Sequence, residues 1–367
     1  MSKLLVDTWL RVDDEIVTIV LIVASILSII WLVRILTSKK FNPPLPPGPR
    51  SLPLIGNLLS LDPELHVYFA SLAKVHGPIA RLWLGKKLGI LITSPELARE
   101  VLKLHDTTFA NRDVPIAGVE ATYGGNDIVS SPYGDQWRML RKICVREMLS
   151  NQTLDSVYSL RRREVRNTIT YLYNHFGQPV NIGEQMFLTV LNVITGMMWG
   201  GTVKAEDRTT IGAEFRQVVN EMVGYLGKPN LSDFYPSLAL FDLQGTDTTS
   251  NTIEFALAEM MNKPEILRKA QQELEDVVGK DNIVEESHIN KLPYLYAIMK
   301  EVLRMHPTLP LLVPHCPSES CVIGGYTIPK GARVFVNAWA IHRDPSIWEN
   351  PGGGAVSSGG GAVEQRW

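Results

Sequence analysis

Cysteine is scarce in this sequence, with three residues among 367. The three are Cys144, Cys316 and Cys321, and neither a CxxC spacing nor a histidine cluster accompanies them, which argues against a structural zinc site. A small, odd number of cysteines also argues against a disulfide framework. Excess charge is equally lacking, since 36 basic and 38 acidic residues give a net charge of -2, and this balance points to no nucleic-acid partner.

One segment of the sequence is long, apolar and uncharged. Residues 16–33 contain no charged side chain and lie near the low end of the roughly 17–25 residues that a helix needs to span a bilayer. Acidic residues stand immediately before this run, whereas Arg34, Lys39 and Lys40 follow it. Because basic flanks remain in the cytosol, the pattern predicts an N-terminal transmembrane helix with the body of the protein on the cytosolic side.

Two alternatives to a retained anchor are a cleaved signal peptide and a buried core helix. A signal peptide has basic residues before its apolar run, whereas the stronger basic cluster here comes after it. A core helix is rarely so uniformly apolar, because one of its faces usually meets solvent. The charge asymmetry therefore favours a retained anchor.

A proline-rich stretch, residues 41–50, follows the predicted anchor. Proline fixes φ and lacks an N–H donor, so this stretch is predicted to be a stiff, extended hinge, with a flexible linker as the alternative. We divide the chain into four parts: a membrane anchor with its basic flank (1–40), the hinge (41–50), a globular domain (51–351) and a glycine-rich, low-complexity tail (352–367).

The globular domain is predicted to be mainly α-helical with small antiparallel β-sheets towards its two ends. Two alternating runs around Gly85-Lys86-Lys87 predict a β-hairpin, and Ser94 is the predicted N-cap of the helix after it. Residues 321–339 predict strands joined by glycine-containing turns. Hydrophobic periodicity predicts helices over 135–149, 161–175, 183–199, 254–262, 264–278 and 293–305.

Glu301 and Arg304 lie three residues apart on the last of these predicted helices, so their side chains can pair. An exposed pair of this kind contributes only ~0–1 kcal/mol and is a weak signal alone. The sequence after it is more specific, because a His-Pro stop and a strand hairpin lead on to residue 351. This run resembles the ExxR helix and following strands of the cytochrome P-450 family, and the anchor and hinge resemble the microsomal branch of that family.

A second motif is GTDTT, residues 245–249, a poor helix-forming run out of which a helical pattern continues directly. One interpretation is an N-cap cluster at the start of a helix within 246–249. The resemblance implies instead that the run lies in the long central helix over the haem. In that position Asp247 and Thr248 deliver protons to iron-bound dioxygen.

A third motif places Trp137 and Arg141 four residues apart on one face of a predicted helix. The resemblance implies that an indole N–H and a guanidinium at these positions hold a haem propionate. It also implies that His315, just beyond the Glu301 helix, faces a propionate.

A basic stripe formed by Arg138, Lys142 and Arg146 follows the same helix at spacings of four residues. The stripe is either a solvated helix face or a docking surface for an acidic electron donor, such as the NADPH–cytochrome P-450 reductase.

Taken together, the motifs are similar to those of a haem-thiolate monooxygenase of the endoplasmic reticulum membrane. The resemblance implies a haem cofactor, electrons from NADPH through the reductase, and hydroxylation of a small apolar substrate with O₂. Residues 232–245 and 254–274 are most similar to the group that contains geraniol 8-hydroxylase and ferruginol synthase, which implies a terpenoid substrate.

The sequence departs from this family in two places. Where the family has a Phe-x-x-Gly-x-x-x-Cys-x-Gly loop that carries the axial thiolate, this sequence has its glycine-rich tail. Near Gln244-Gly245, two motifs that the family keeps far apart are fused. We therefore expect a truncated and internally deleted member that lacks activity and whose Glu301–Arg304 pair loses a third partner. The alternative is a non-catalytic, membrane-anchored fragment from mis-splicing, a pseudogene or mis-assembly.

Overall fold

The computed structural model describes most of the globular domain. The described residues are 17–19, 21–23, 25–26, 28–29, 41–115, 119, 122, 124–199, 249–349 and 351–352. Those that belong to the predicted anchor are helical and exposed. Among all described residues, no helix is both long enough and apolar enough to cross a bilayer. The anchor therefore stays a prediction, and most of the tail lies outside the described residues.

The described part of the domain is mainly helical, as the sequence predicts. The α-helices are α1 Leu65–His76, α2 Pro95–Arg99, α3 Asp135–Ile143, α4 Asn151–Ser156, α5 Tyr158–Asn174, α6 Ile182–Trp199, α7 Thr249–Asn262, α8 Pro264–Val278, α9 Pro293–Met305 and α10 Ala338–Ile341. Helices α2 and α3 continue as π-helical turns, Glu100–Leu104 and Cys144–Met148, and 3₁₀ turns occupy Leu58–Ser60 and Glu286–Lys291. Ser94 caps α2 as predicted, because its hydroxyl accepts the N–H of Leu97.

The strands in the described part of the chain form one five-stranded sheet and a separate hairpin. The sheet has the order β1-β2-β7-β4-β3, and β5 pairs with β6. Their bounds are β1 Ile79–Leu84, β2 Lys87–Ile92, β3 Asn111–Arg112, β4 His315–Cys316, β5 Cys321–Ile323, β6 Tyr326–Ile328 and β7 Arg333–Val336.

The prediction of separate antiparallel sheets is wrong at one pairing. Strands β2 and β7 run parallel, with Ile90 beside Val334, and so join the two ends of the domain in one sheet. Both strands are short apolar runs whose central residues are buried, which is typical of strands covered on both faces. The hairpin β1–β2 and the hairpin β5–β6 are antiparallel, as predicted.

Among the described residues the core has three parts, and two of them lie on this sheet. One face carries a cluster that includes Ile90, Phe109 and Val334, and the other packs Leu82 and Phe335 against α1. A third cluster joins α7, α8 and α9 through Met260, Ala270, Ile298 and Val302. Each large apolar side chain buried in this way contributes about 1.5–3 kcal/mol. The third cluster fixes α9, which carries Glu301 and Arg304.

The predicted hinge is hydrogen-bonded to the domain at several points. Thr327 donates its N–H to Pro44 and its hydroxyl to Pro43, at 2.9 and 2.6 Å. The N–H of Arg81 in β1 donates to the carbonyl of Pro47 at 2.8 Å. A Cβ on Gly48 would lie 2.0 Å from the carbonyl oxygen of Arg81, so only glycine fits there without a shift of backbone. The segment therefore packs along β1 and β6.

Candidate active site

Glu301 and Arg304 form a two-point ion pair on α9. Nε of Arg304 lies 2.7 Å from Oε2 of Glu301, and Nη2 lies 2.6 Å from Oε1. Arg304 is buried, and its Nη1 donates to the carbonyl of His342 at 2.6 Å and to that of Pro351 at 3.3 Å. Its guanidinium carbon also lies 4.9 Å from the ring centroid of Trp348. Two carbonyls and an indole therefore surround the side of the arginine that Glu301 leaves open.

Trp137 and Arg141 share one face of α3, as their spacing predicts. The guanidinium carbon of Arg141 lies 5.3 Å from the centroid of the Trp137 ring. The indole N–H of Trp137 donates to the carbonyl of Ile128 at 3.0 Å. No residue of α3 is buried, so both side chains border open space.

A short series of contacts connects Trp137 with the edge of the sheet. The Trp137 ring packs on the ring of Tyr133 at a centroid distance of 5.4 Å. The N–H of Tyr133 donates to Oδ1 of Asn111 in the edge strand β3 at 2.8 Å. The next residue of β3, Arg112, pairs across the strands with His315 of β4. The structure therefore links the predicted tryptophan and histidine through the edge strand β3.

His315 and Arg112 are a histidine–arginine pair in partly buried surroundings. Burial, with a smaller contribution from the charge of Arg112, lowers the pKa of His315 to about 4. The imidazole is therefore neutral at neutral pH, and with the proton on Nδ1 it donates to the carbonyl of Phe109 at 2.8 Å. Burial also lowers the pKa of Arg112, whose Nη1 donates to the carbonyl of Val313 at 3.5 Å. A carboxylate placed here would stabilise both cationic forms.

Sequence reasoning did not identify Arg112. It stands in a two-residue strand within a loop-rich stretch, where no periodicity or spacing marks it as special. Its position opposite His315 depends on the pairing of β3 with β4, two strands from distant parts of the chain. A strand pair of this kind leaves no local signal in the sequence.

The two cysteines near the sheets are poor thiolates. Burial, followed by the charge of Asp113, raises the pKa of the half-buried Cys316 thiol. Burial and the charge of Glu319 raise the pKa of Cys321 to about 11. Both are therefore protonated at neutral pH when no metal is bound. The described residues offer donors that fit the carboxylates of a haem.

Asp247 and Thr248 lie outside the described residues, and α7 is described from Thr249 onward. The basic stripe is formed as predicted, because Arg138, Lys142 and Arg146 are exposed on α3 and its π-helical continuation.

Comparison with known proteins defines the class of this chain. The family model for cytochrome P-450 matches residues 46–244 and 240–352. A flavonoid 3'-monooxygenase from Petunia hybrida is 34% identical over 394 aligned positions, which cover 88% of this chain and 77% of that protein. A carnosic acid synthase from Salvia pomifera is 33% identical, over 84% of this chain and 76% of that protein. The chain belongs to the cytochrome P-450 family, whose members are haem-thiolate monooxygenases.

The solved structures show the same fold. A zebrafish cytochrome P-450 with progesterone superposes with a TM-score of 0.68 at 24% identity, over 80% of this chain and 83% of that chain. At this identity the likeness concerns the fold alone. The relatives above are a flavonoid 3'-monooxygenase and a carnosic acid synthase from plants, whereas the narrower resemblance to geraniol 8-hydroxylase and ferruginol synthase stays a prediction.

The family match is interrupted near the middle of the sequence. The family model matches in two segments, which meet at residues 240–244, beside the predicted junction at Gln244-Gly245. The alignment with the Petunia relative has 394 positions and the chain has 367 residues, so that alignment contains positions at which this chain has no residue.

Proposed function

We propose that this chain provides the scaffold of a microsomal monooxygenase that hydroxylates a small apolar compound. In that reaction O₂ is the oxidant and NADPH supplies electrons through a reductase. The single observation that carries the proposal is the set of cationic and N–H donor groups linked through strand β3 within a cytochrome P-450 fold. A bound haem would supply the activation of dioxygen, and the residues of this chain would hold and orient it.

In this proposal Arg112, Arg141, Trp137 and His315 hold the haem propionates. Arg112 and His315 support this assignment, because burial lowers the pKa of both side chains. A nearby carboxylate would favour their charged forms. Titration of haem into the full chain, followed by absorbance, tests the assignment. We expect weaker binding for Arg112→Gln and Arg141→Gln, and unchanged binding for Arg268→Gln on the exposed surface of α8. Equal affinity in all variants would contradict it.

Asp247 and Thr248 are the proposed proton-relay pair, by the family match alone. A threonine hydroxyl both donates and accepts a hydrogen bond, and a neighbouring carboxylate can supply it with protons. Replacement of Thr248 by Ala in a catalytically competent chain should uncouple electron consumption from product formation. Unchanged coupling would exclude the role.

We further propose that none of the three cysteines serves as the axial ligand, so that the 367-residue chain is inactive. None of the three stands in a Phe-x-x-Gly-x-x-x-Cys-x-Gly sequence, and this supports this part of the proposal. Cys144 lies in the turn after α3, the helix that carries Trp137. Without a thiolate, electron density is not pushed towards the bound oxygen to assist cleavage of the O–O bond.

A second candidate function is that of a non-catalytic, membrane-anchored product. The interrupted family match at residues 240–244 favours it. In this interpretation the helices that would cover the substrate pocket are deleted at Gln244-Gly245. Sequencing of transcripts across this junction is the direct test. If all transcripts carry additional coding sequence there, the product does not exist as a natural species.

The substrate remains a matter of chemical class. The relatives include enzymes named flavonoid 3'-monooxygenase and carnosic acid synthase, and the sequence resemblance points to terpenoids. We propose a small, mainly apolar compound and favour a terpenoid. A competent chain with the missing segments restored would be assayed with a monoterpenol, a diterpene and a flavonoid in parallel. Turnover of the flavonoid alone would reject the terpenoid assignment.

The proposed location is the endoplasmic reticulum membrane, with residues 16–33 as the anchor and the domain in the cytosol. The charge asymmetry around that segment supports it. Protease treatment of sealed microsomes tests it, and we expect digestion of the domain. Protection of the domain would contradict the proposed orientation and place the domain in the lumen.

The reductase is the proposed partner of the basic stripe. Arg138 and Lys142 lie on an exposed helix, where cations can attract an acidic donor protein. We expect charge reversal at both positions to reduce recovery of the reductase in a binding assay. Recovery equal to that of the unmodified chain would leave the stripe as a solvated helix face.

A further inference from the structure

A cleft of about 660 Å³ lies between α5 and Glu285, apart from the residues discussed above. Its walls include three arginines of α5, Arg162, Arg163 and Arg166, together with Tyr158. One carboxylate, that of Glu285, faces them from the residue before the 3₁₀ turn.

Glu285 is saturated with donors. It accepts the hydroxyl of Tyr158 at 2.6 Å, Nε of Arg162 at 2.8 Å and Nη2 of Arg166 at 2.7 Å. These hydrogen bonds, with that of Arg162 the strongest, lower the pKa of Glu285 to about 2, so it is ionised at every physiological pH. One carboxylate is therefore shared between two guanidinium groups and a phenol.

The cleft retains more donors than Glu285 can satisfy. In the part of the chain that the structure describes, Nε of Arg166 has no hydrogen-bond partner, but it is buried and is not among the donors that a ligand in the cleft can reach. Arg163 points its Nε at Glu164 of its own helix at 3.2 Å, and its side chain is 58% exposed. By contrast, the neighbouring Arg161 is fully engaged, with Glu286 on two nitrogens and the carbonyl of Leu154 on the third.

We infer that this cleft is a binding site for a phosphate monoester dianion. Guanidinium groups match the oxygens of phosphate in pairs, and the three arginines outnumber the two carboxylates, Glu285 and Glu164, with which they pair. A phosphate brings more acceptor oxygens than a monocarboxylate and can therefore meet more than one guanidinium group. The site does not depend on haem, so it goes beyond the monooxygenase proposal and can be tested separately.

The test is a calorimetric titration of the full chain in detergent with inorganic phosphate at constant ionic strength. We expect Arg162→Gln and Arg163→Gln to raise the dissociation constant about tenfold each, since each removes a charged donor. Arg268→Gln removes the same charge from the exposed surface of α8 and should leave the dissociation constant unchanged. Equal weakening in all three variants, or no binding by the unmodified chain, would overturn the inference.

A variant of opposite sign makes the test sharper. Glu285→Gln removes the carboxylate that competes for Arg162 and Arg166, so it should tighten phosphate binding. Weaker or equal binding by this variant, with its unfolding transition intact, would contradict the inference. Arg163→Gln removes a cation from the cleft without disturbing the contacts of Glu285, because Arg163 pairs with Glu164 of its own helix.

The ligand can be a soluble compound or a lipid headgroup, since both carry the same group. Vesicles of phosphatidylcholine with and without phosphatidic acid separate these sources, in parallel with glycerol phosphate in solution. Binding to the soluble ester assigns a free metabolite, and arginine-dependent binding to phosphatidic acid vesicles alone assigns a lipid. Failure of both arms would reject the site.

Discussion

Glu301 and Arg304 are joined at two points, with Nε to Oε2 at 2.7 Å and Nη2 to Oε1 at 2.6 Å. The remaining nitrogen of the arginine donates to the backbone carbonyls of His342 and Pro351, beyond the last strand of the sheet. The pair therefore ties α9 to the segment after β7. This tie uses residues of the described chain and does not depend on a bound group.

Replacement of Arg304 by Gln should lower the free energy of unfolding by about 3 kcal/mol, because it leaves the Glu301 carboxylate unpaired and two carbonyls without a donor. Urea unfolding followed by circular dichroism measures the change. The matched control, Arg268→Gln, alters an exposed arginine that donates to Pro264 in its own helix, and should cost less than about 0.5 kcal/mol. Similar values for the two variants would show that the ion pair contributes little.

Gly48 should tolerate no side chain. A Cβ at this position would lie 2.0 Å from the carbonyl oxygen of Arg81, so Gly48→Ala should force the proline-rich segment away from β1 and cost about 1–3 kcal/mol. Gly134→Ala is the control, since the nearest atom to its Cβ would be 3.9 Å away. The midpoints of thermal unfolding compare the two. If Gly48→Ala is as stable as Gly134→Ala, the segment is not packed as described.

His315 should remain neutral far below the usual range of histidine. Its pKa of about 4 lies below the ordinary 6.5, so stability is complete above pH 6.5 and is lost as the pH falls from 6.5 towards 4. The full loss is on the order of 3 kcal/mol. NMR titration of histidine-labelled protein, with His315→Gln to assign the signal, gives the pKa. A midpoint near 6.5 would contradict the burial of this imidazole beside Arg112.

Ionised Glu285 should make the free energy of unfolding depend on pH in the acid range. Its pKa is lowered from 4.5 to about 2, so its stabilisation is present above pH 4.5 and is lost as the pH falls through the interval down to 2. Unfolding measured across that interval should show a smaller pH dependence in Glu285→Gln than in the unmodified chain. Identical profiles would mean that the arginines of α5 do not hold this carboxylate.

The sequence was sufficient to predict the helices whose first and last residues are marked by local signals such as proline. Helices α8 and α9 begin at Pro264 and Pro293, as predicted, because proline at the first turn and a stop after the last one define each helix locally. The spacing of Trp137 and Arg141 likewise placed them on one face of α3. These features depend on residues within a few positions of one another.

The relations between distant segments could not be predicted in this way. The parallel pairing of β2 with β7 and the position of Arg112 opposite His315 arise from strands far apart in the chain, and each short strand fits several partners. The same holds for the arginines of α5, whose partner Glu285 lies in another part of the sequence. The sequence therefore predicted which residues form the candidate site, apart from Arg112. The pKa shifts within the site could be obtained only from the fold.

The central claim is that this chain of the cytochrome P-450 family does not supply a thiolate to a haem iron. A carbon monoxide difference spectrum of the purified full chain, loaded with haem and reduced, is the most direct measurement. We predict that the Soret band of the carbon monoxide complex stays away from the position of thiolate ligation, in the unmodified chain and in the variants of Cys144, Cys316 and Cys321 alike. A Soret band at the thiolate position, abolished by replacing one of these cysteines, would contradict the claim.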